Sequence, residues 1–247
     1  MHLDYRGKVA VITGGGRGFG KAFGAALARR GAAVALIDRD KSAVEQAAAE
    51  IGDAAFAYEG DVTREERMNA IMADIVTAHG RIDILINNAG LHSAEYSKPL
   101  EVLGLARIRR LFEVNMMGVI VCTFAAKPYM AGRDGANILN ISSSSAFQPG
   151  GYGVSKLGTI GLTITFAREL AADGIRVNAI APGVILTETV TAELPPETLS
   201  RVKGMQYVAR HGEEDDVVNA MLYLTSPMAS FVTAETLRLT GGYMPGI

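Results

Sequence analysis

The fold is decided by one stretch near the start of the sequence, Lys8-Val9-Ala10-Val11-Ile12-Thr13-Gly14-Gly15-Gly16-Arg17-Gly18-Phe19-Gly20. Its first half is a short apolar run, typical of a buried parallel strand, and its second half is a glycine-rich turn. Glycines at a strand-to-helix turn permit positive φ and close backbone approach, so a pyrophosphate can contact free N–H groups at the helix N-terminus. The stretch therefore predicts a strand, a turn and a helix that together bind a nucleotide.

The rest of the chain repeats this alternation of short apolar runs with longer amphipathic ones. The predicted strands are rich in Val, Ile and Ala, and they cover residues 8–13, 33–37, 54–58, 82–86, 137–142, 175–180 and 236–240. The predicted helices cover residues 18–30, 41–51, 64–79, 101–130, 152–172 and 213–226. This order predicts one α/β domain, residues 1–247, with a Rossmann-type doubly wound parallel sheet of about seven strands. The weakly patterned segment 187–207 is predicted to be a substrate flap.

Composition excludes several classes of partner. The 247 residues are 49% hydrophobic and 20% charged, with a net charge of -2, so nothing attracts nucleic acid or an anionic membrane surface. The charged start of the chain leads directly into a strand, so we expect no signal peptide, no membrane-spanning run and a cytoplasmic location. The single cysteine, Cys122, lies in an apolar run and is expected in the core, and no disulfide or metal site is expected.

A phenol and an ammonium stand four residues apart at the start of a predicted helix. Tyr152 and Lys156 share one helical face, just after a strand that ends in serines 142–145. A free tyrosine has a pKa of about 10, and a cation about 4 Å away favours the phenolate by up to about 4 kcal/mol. We therefore expect Lys156 to lower the pKa of Tyr152, so that Tyr152 exchanges a proton with an alcohol or ketone during hydride transfer. Ser143 is expected to donate a hydrogen bond to the developing alkoxide.

The choice of dinucleotide is indicated by Asp38, which follows the second predicted strand. A carboxylate there accepts hydrogen bonds from the ribose hydroxyls and repels a 2′-phosphate by a few kcal/mol, which favours NAD over NADP. Arg17 and Arg39 argue for NADP instead, because either guanidinium can pair with that phosphate.

Further motifs follow the glycine turn in a fixed order. They are Asp61-Val62, Asn87-Asn88-Ala89-Gly90, Asn115, Ile141-Ser142-Ser143, Tyr152-x-x-x-Lys156 and Pro182-Gly183 with Thr187. Jointly, and over nearly the whole chain, they resemble the short-chain dehydrogenase/reductase family. The resemblance implies an oxidoreductase that acts on CH–OH groups and forms a homo-oligomer, either a dimer or a homotetramer.

The resemblance also implies a role for each matching residue. Asp61 and Val62 would flank the adenine, and Ile185 and Thr187 would hold the nicotinamide carboxamide. The implied catalytic set is Ser143, Tyr152, Lys156 and Asn115, with Asn115 anchoring a water that relays protons from Lys156. The implied cofactor contacts are Gly14, Arg17, Gly18, Phe19, Gly20, Asp38, Arg39, Asp61, Val62, Asn88, Ala89, Gly90, Tyr152, Lys156, Pro182, Gly183, Ile185 and Thr187.

The chain departs from the family pattern at two places. The segment from Ser143 to Tyr152 is about four residues shorter than usual, although its nine peptide steps still span up to about 30 Å. Ser144 and Ser145 are therefore alternatives to Ser143, and the substrate wall is expected to differ. Predicted substrate contacts are His92, Ser145 and Val184. The second departure is Thr233-Ala234, where the family often has Thr-Gly, and it is expected to alter an interface or a turn.

Three functions stay open at this point. The first is an NAD-dependent oxidoreductase for a small secondary alcohol or the matching ketone. The second is an NADP-dependent 3-oxoacyl-thioester (acyl carrier protein) reductase, which Arg17 and the cluster Arg107-Ile108-Arg109-Arg110 favour. The third is a non-catalytic dinucleotide-binding regulatory protein, which the shortened segment would permit.

Overall fold

The computed structural model describes residues 3–91, 93–187, 190 and 194–243, and the structural statements below concern those residues. The strands are β1 (Val9–Thr13), β2 (Ala33–Asp38), β3 (Ala55–Glu59), β4 (Ile84–Asn87), β5 (Asn137–Ile141), β6 (Arg176–Pro182), β7 (Ile185–Leu186), β8 (Gly212–Glu213) and β9 (Thr236–Leu239). Seven of them form one parallel sheet in the order β3-β2-β1-β4-β5-β6-β9, which confirms the predicted fold. The remaining two, β7 and β8, pair with each other, and the sequence pattern predicted neither.

Helices cover both faces of the sheet. They are α1 (Gly18–Ala28), α2 (Lys41–Ile51), α3 (Glu65–His79), α4 (Ser93–Tyr96), α5 (Leu100–Phe112), α6 (Gly118–Met130), α7 (Gly151–Glu169), α8 (Pro196–Met205) and α9 (Glu214–Thr225). Alternate residues of β1 face opposite cores: Ile12 packs in the core that contains Phe23 of α1, and Val11 packs in the core that contains Phe166 of α7. Burial on both faces explains why the strand reads as a continuous apolar run.

The predicted continuous helix over 101–130 is wrong in detail, because it is interrupted twice. Gly104 leaves the helical conformation with φ 71° and ψ 158°, which glycine tolerates. A π-helix over Glu113–Met117 then separates α5 from α6. π-Helical turns inserted in α-helices are often found at functional sites, and this one contains the predicted site residue Asn115.

The same helical run bears on the expectation that no segment can span a membrane. By length and composition alone, Leu100–Met130 is long and apolar enough to cross a bilayer, so the sequence-based expectation overlooked it. Half of its most apolar window is buried in the fold, and the run is interrupted at Gly104 and by the π-helix. Cys122 lies in this run and is fully buried, as expected, and burial raises the pKa of its thiol to about 12.

The sheet topology determines where a ligand can bind. β1 pairs with β2 on one side and with β4 on the other. The strands after β1 are therefore added on one side of it as far as β3, and on its other side from β4 onward. The carboxyl ends of parallel strands at such a reversal form a crevice in α/β proteins. The segments after β1, β4, β5 and β6 all emerge at this edge, and they carry the predicted site residues.

Of the predicted flap, residues 188, 189 and 191–193 lie outside the described residues. The described part contains α8, whose end is followed by Gln206 and Tyr207. The Tyr207 and Val208 N–H groups both donate to the Gly241 carbonyl, at 2.7 and 3.0 Å. The far end of the predicted flap is therefore fixed to the segment that follows β9.

The second sequence departure lies just before β9. Ala234 adopts φ 64°, in the left-handed region that glycine occupies without cost. Its N–H nevertheless donates to the Val177 carbonyl at 2.8 Å, which holds this turn against β6. The departure therefore affects a turn, and it places a strained alanine there.

Candidate active site

The start of α7 is tied to the end of β5 by the predicted lysine. Lys156 is buried, and its Nζ donates a hydrogen bond to the Ile141 carbonyl 2.9 Å away. Ser142 Oγ in turn donates to the Lys156 carbonyl at 2.8 Å. The Tyr152 ring centroid lies 5.7 Å from Lys156 Nζ, as the four-residue spacing on one helical face predicts.

Ser143 and Tyr152 meet despite the short segment between them. The Ser143 side chain lies close enough to the Tyr152 hydroxyl to lower the pKa of the phenol, and a 3-10 helix over Ser144–Phe147 takes up the intervening residues. Ser143 Oγ also accepts from the Ser145 N–H at 3.2 Å. Ser144 is buried. The geometry thus favours Ser143 over its two neighbours as the serine that acts with the phenol.

The pKa of Tyr152 moves in the direction opposite to the expectation. Burial raises it to about 12, and the neighbouring Ser143 side chain offsets this only in part. The ring packs against an apolar cluster of Tyr96, Leu103 and Leu111, which keeps water from the phenol. The expected lowering of this pKa is therefore wrong for the folded chain, because desolvation of the phenol raises it more than its neighbours lower it.

Burial acts on Lys156 in the other direction, because its charged form is the protonated one. The pKa of Lys156 is lowered from 10.5 to about 8. At neutral pH the site therefore holds a neutral phenol next to an ammonium that loses its proton in mild alkali.

Asn115 joins three segments of the site. Its Oδ1 accepts from the Leu91 N–H at 2.8 Å, and its Nδ2 donates to Ser155 Oγ at 3.0 Å. Ser155 Oγ donates to the Tyr152 carbonyl at 2.7 Å, so Asn115 is linked to the catalytic helix through Ser155. The Thr159 hydroxyl also reaches the Asn115 carbonyl, at 3.3 Å. Sequence reasoning missed Ser155 and Thr159. They lie three and seven residues after Tyr152, and this spacing places them on the same face of α7 as Tyr152.

The glycine turn has the geometry of a phosphate cradle. Gly14 and Gly18 have φ of 65° and 50°, and α1 begins at Gly18. A Cβ on Gly20 would lie 2.1 Å from the Gly14 carbonyl oxygen, so this position accepts only glycine. Within the described contacts, the N-cap residue Arg17 gives no side-chain hydrogen bond to the first turn of α1. The N–H groups of that turn are thus suited to an anionic phosphate.

The segment after β4 supports this turn. Asn88 Nδ2 donates to the carbonyls of Thr13 and Gly14, both at 3.0 Å. The N–H groups of Asn88 and Ala89 both donate to Thr13 Oγ1 at 3.1 Å. A Cβ on Gly90 would lie 3.4 Å from Lys156 Nζ, so the same segment runs beside the lysine. These contacts place the cradle and the acid/base pair at one edge of the sheet.

Asp38 lies beside the glycine turn. Its Oδ2 accepts from the Gly16 N–H at 3.1 Å, and its Oδ1 accepts from the Asp40 N–H at 3.1 Å. Arg17 and Arg39 are both exposed. The carboxylate is therefore held in place by backbone donors, whereas the two guanidinium groups that would favour a 2′-phosphate extend into solvent.

Asp61 and Val62 follow β3, and they lie next to Arg110 and Gly118 of the helical run 100–130. Asp61 accepts hydrogen bonds from the Thr63 N–H and hydroxyl, at 3.0 and 2.8 Å, and forms an ion pair with Arg110 at 3.4 Å. Although burial raises the pKa of Asp61, the bonds from Thr63 and Arg110 hold it below the usual value. Val62 is buried, and a Cβ on Gly118 would lie 2.7 Å from its Cγ2. Arg110 thus belongs to this pair, while Arg107 and Arg109 of the same cluster are exposed.

The segment Pro182–Thr187 is held from two sides. The Gly183 N–H donates to the Leu239 carbonyl at 2.8 Å, and Ile185 is paired with Gly212 in the β7–β8 ladder. Thr187 Oγ1 accepts from the Val190 N–H at 3.2 Å. The backbone of Ile185 is therefore fixed in position, as binding of a carboxamide would require.

A cavity of about 1260 Å³ lies between the glycine turn and this segment. Its walls include Gly16 and Gly18 on one side and Leu186 and Thr187 on the other. Most of its other lining residues belong to α1, α2 and α9, and neither Tyr152 nor Lys156 lines it. The fit to a dinucleotide therefore rests on the glycine cradle, on Asp38 and on the acid/base pair at the same sheet edge. Of the predicted substrate contacts, Ser145 and Val184 are half-buried at this edge, and His92 lies outside the described residues.

Comparison with known proteins agrees with this arrangement. A family model described as enoyl-(acyl carrier protein) reductase matches residues 14–244. A cis-4-hydroxycyclohexanecarboxylate dehydrogenase of Sinomonas cyclohexanicum is 36% identical, over 96% of this chain and 96% of its own length. A 3-oxoacyl-[acyl-carrier-protein] reductase of Aquifex aeolicus is 32% identical, over 98% of this chain and 99% of its own. A 7α-hydroxysteroid dehydrogenase solved with NADH and 7-oxo glycochenodeoxycholic acid superposes with a TM-score of 0.91 at 33% identity, covering 99% and 97% of the two chains.

Proposed function

The chain belongs to the short-chain dehydrogenase/reductase family, and from this premise we propose that it is an NAD-dependent oxidoreductase that interconverts a small secondary alcohol and its ketone. One observation carries the proposal: Tyr152 lies next to Ser143 and beside buried Lys156, at the sheet edge that also carries the glycine turn. Family membership and this intact set favour an enzyme over a non-catalytic regulatory protein.

The proposed mechanism assigns the proton to Tyr152. A nicotinamide cofactor, when bound, supplies the donor or acceptor of the hydride. Because burial raises the pKa of Tyr152 to about 12, the phenol is protonated at neutral pH and can donate its proton to a carbonyl oxygen. Ser143 can hold the same oxygen through its hydroxyl. In the reverse direction Tyr152 accepts the proton of the alcohol. Lys156, held by Ile141, would bind ribose hydroxyls and add positive charge beside the phenol.

NAD is proposed because Asp38 is held next to the glycine turn by the Gly16 and Asp40 N–H groups. Asp38, Asp61 and Val62 would hold the adenosine half, and Ile185 and Thr187 the carboxamide. The segment 187–207 is proposed to cover the substrate. The second candidate, an NADP-dependent 3-oxoacyl-thioester reductase, is favoured by Arg17 beside the turn and by the Aquifex aeolicus relative.

Two measurements test the proposal. Calorimetric titration of the wild-type protein with NADH and with NADPH should give tighter binding of NADH, and a clear preference for NADPH would favour the second candidate. Turnover of a panel of cyclic and linear secondary alcohols and ketones should then fall about 10³-fold in Tyr152→Phe, which removes the proton donor. The matched control is Tyr223→Phe, because Tyr223 is exposed on α9, outside the proposed catalytic set and the substrate segment. Equal turnover by wild type and Tyr152→Phe would contradict the mechanism.

We propose further that the protein is a cytoplasmic homo-oligomer, a dimer or tetramer. Support comes from apolar side chains on the outer faces of α6 and α7: Phe124, Val154, Leu157 and Ile164 are each 47% to 59% exposed. Large exposed apolar side chains that gather in one patch mark association sites. Light scattering after gel filtration tests this, with Ile164→Glu expected to reduce the mass. The control is Ser42→Glu, expected to leave the mass unchanged, because Ser42 is exposed on α2, which packs against the opposite core from α7. A monomeric wild type would contradict it.

A further inference from the structure

The β7–β8 ladder is short, although the proposed function relies on it to position Ile185. Each strand has two residues, and the ladder joins Ile185 to Gly212 and Leu186 to Glu213. Two-residue strands have little stability of their own. The position of Ile185, which the proposed function assigns to the nicotinamide end of the cofactor, therefore depends on what holds β8.

An ion pair next to β8 supplies that support. Arg210 donates from Nη1 to Asp216 Oδ2 at 2.6 Å and from Nη2 to Asp216 Oδ1 at 2.7 Å, a two-pronged arrangement. Arg210 Nη1 also donates to the His211 carbonyl at 2.9 Å, immediately before β8. Asp216 Oδ2 accepts from the Glu213 N–H at 2.9 Å, within β8 itself. Both members of the pair thus bond directly to the backbone on either side of Gly212.

Other contacts show that β8 has little freedom to move once this pair is formed. A Cβ on Gly212 would lie 2.5 Å from Ile185 Cδ1, so the two strands are in close contact. Glu213 and Asp216 also form the capping box of α9. At the other end, Val208 is bonded to Gly241. The segment from Val208 to Asp216 is therefore anchored at both ends, and β8 lies between the anchors.

We propose that Arg210 and Asp216 are positioning residues that set the affinity for the nicotinamide half of the cofactor by holding β8 against β7. Neither residue touches the cofactor in this proposal, and they act through Ile185. The inference rests on the proposed function, because it assumes that Ile185 binds the carboxamide.

The test compares NADH with ADP-ribose, which has the adenosine and both phosphates but no nicotinamide. Calorimetric titration of Arg210→Ala should show roughly five-fold weaker NADH binding, with ADP-ribose binding unchanged. Arg210→Lys, which keeps the charge but loses the two-pronged geometry, should recover part of the loss. The control is Arg6→Ala, because Arg6 forms a similar exposed pair with Asp4 away from the site.

Steady-state kinetics give a second readout. The Michaelis constant for NADH should rise in Arg210→Ala while kcat changes less than two-fold. Equal weakening of NADH and ADP-ribose would overturn the inference, since a merely structural role affects both, and so would unchanged NADH binding. Failure of the wild type to bind NADH at all would overturn the proposed function and this inference together, whereas wild-type binding without the selective loss overturns the inference alone.

Discussion

Replacement of Lys156 by Met should make the protein more stable at pH 7 while it removes activity. The ammonium is buried, and burial lowers its pKa from 10.5 to about 8. That shift corresponds to about 3 kcal/mol by which the charged lysine destabilises the folded state. Met has nearly the same length and no charge, so it removes this cost. It also removes the hydrogen bond from Nζ to the Ile141 carbonyl, which is worth about 1 kcal/mol. The expected gain in the free energy of unfolding is thus about 2 kcal/mol.

The sign of the pH dependence follows from the direction of the shift. Between pH 8 and 10.5 the unfolded lysine keeps its proton while the folded one has lost it, so the unfolded state binds more protons. Wild-type stability from this group therefore rises with pH across that window. The penalty is complete below pH 8 and gone above pH 10.5. Lys156→Met should lack this rise, so its advantage at pH 7 should become a deficit of about 1 kcal/mol above pH 10.5, where only the lost hydrogen bond counts.

Urea unfolding followed by circular dichroism, at one protein concentration and at several pH values from 7 to 10.5, measures both quantities. The control is Lys203→Met on α8, because Lys203 is exposed and its ammonium stays hydrated when the chain folds. The reasoning is refuted if Lys156→Met unfolds at lower urea concentration than wild type at pH 7. It is equally refuted by a stability difference that does not change with pH.

Four further substitutions test separate parts of the structure. Asp38→Asn should shift the preference between NADPH and NADH about ten-fold or more toward NADPH, because the carboxylate that repels a 2′-phosphate is gone, and calorimetric titration with both measures it. Ser143→Ala should reduce kcat about 10²-fold, whereas Ser144→Ala and Ser145→Ala should have much smaller effects, and equal losses in kinetic assays would contradict the assignment of Ser143. Gly20→Ala should abolish cofactor binding or folding because its Cβ would lie 2.1 Å from the Gly14 carbonyl oxygen, while Gly161→Ala, with no atom within 4 Å, should be tolerated in the same thermal unfolding assay. Ala234→Gly should raise the free energy of unfolding by about 1 kcal/mol by removing the left-handed alanine, and an unchanged melting temperature would argue against strain there.

Much of the fold could be predicted because the local signals agree with one another. The strand β1 is apolar on both faces, and its alternate residues do enter two different cores. The glycine turn that follows it has the positive φ angles that its composition indicates. The short strands β7 and β8 could not be predicted in this way. A two-residue ladder leaves no periodic pattern, and its partner lies more than twenty positions away in the chain.

The interruption of the long helix shows a different limit. The apolar pattern from α5 to α6 continues through the π-helix at Glu113–Met117, so the periodicity of the sequence indicates one helix. The turn is held from outside the helix, where Asn115 bonds to Leu91 and Ser155. Only the tertiary fold brings these partners together, which is why Asn115 could be predicted as a site residue but its conformation could not.

The residues of the acid/base pair could be predicted, but their electrostatics could not, and the reason bears on function. From the spacing alone, the attraction of Lys156 for a phenolate is visible, while the desolvation of the phenol by Tyr96, Leu103 and Leu111 is not. In water the two groups have pKa values of 10.0 and 10.5, whereas in the folded chain the values are about 12 for Tyr152 and about 8 for Lys156. Burial moves the two pKa values apart, because it penalises the charged form of each group. The ammonium therefore releases its proton before the phenol does, and the uncharged phenol is the stable form over the physiological range. A protonated phenol can donate its proton to a carbonyl oxygen, as the proposed mechanism requires for ketone reduction. Oxidation of an alcohol requires additional positive charge near Tyr152, so the proposed role of the bound cofactor is electrostatic as well as chemical.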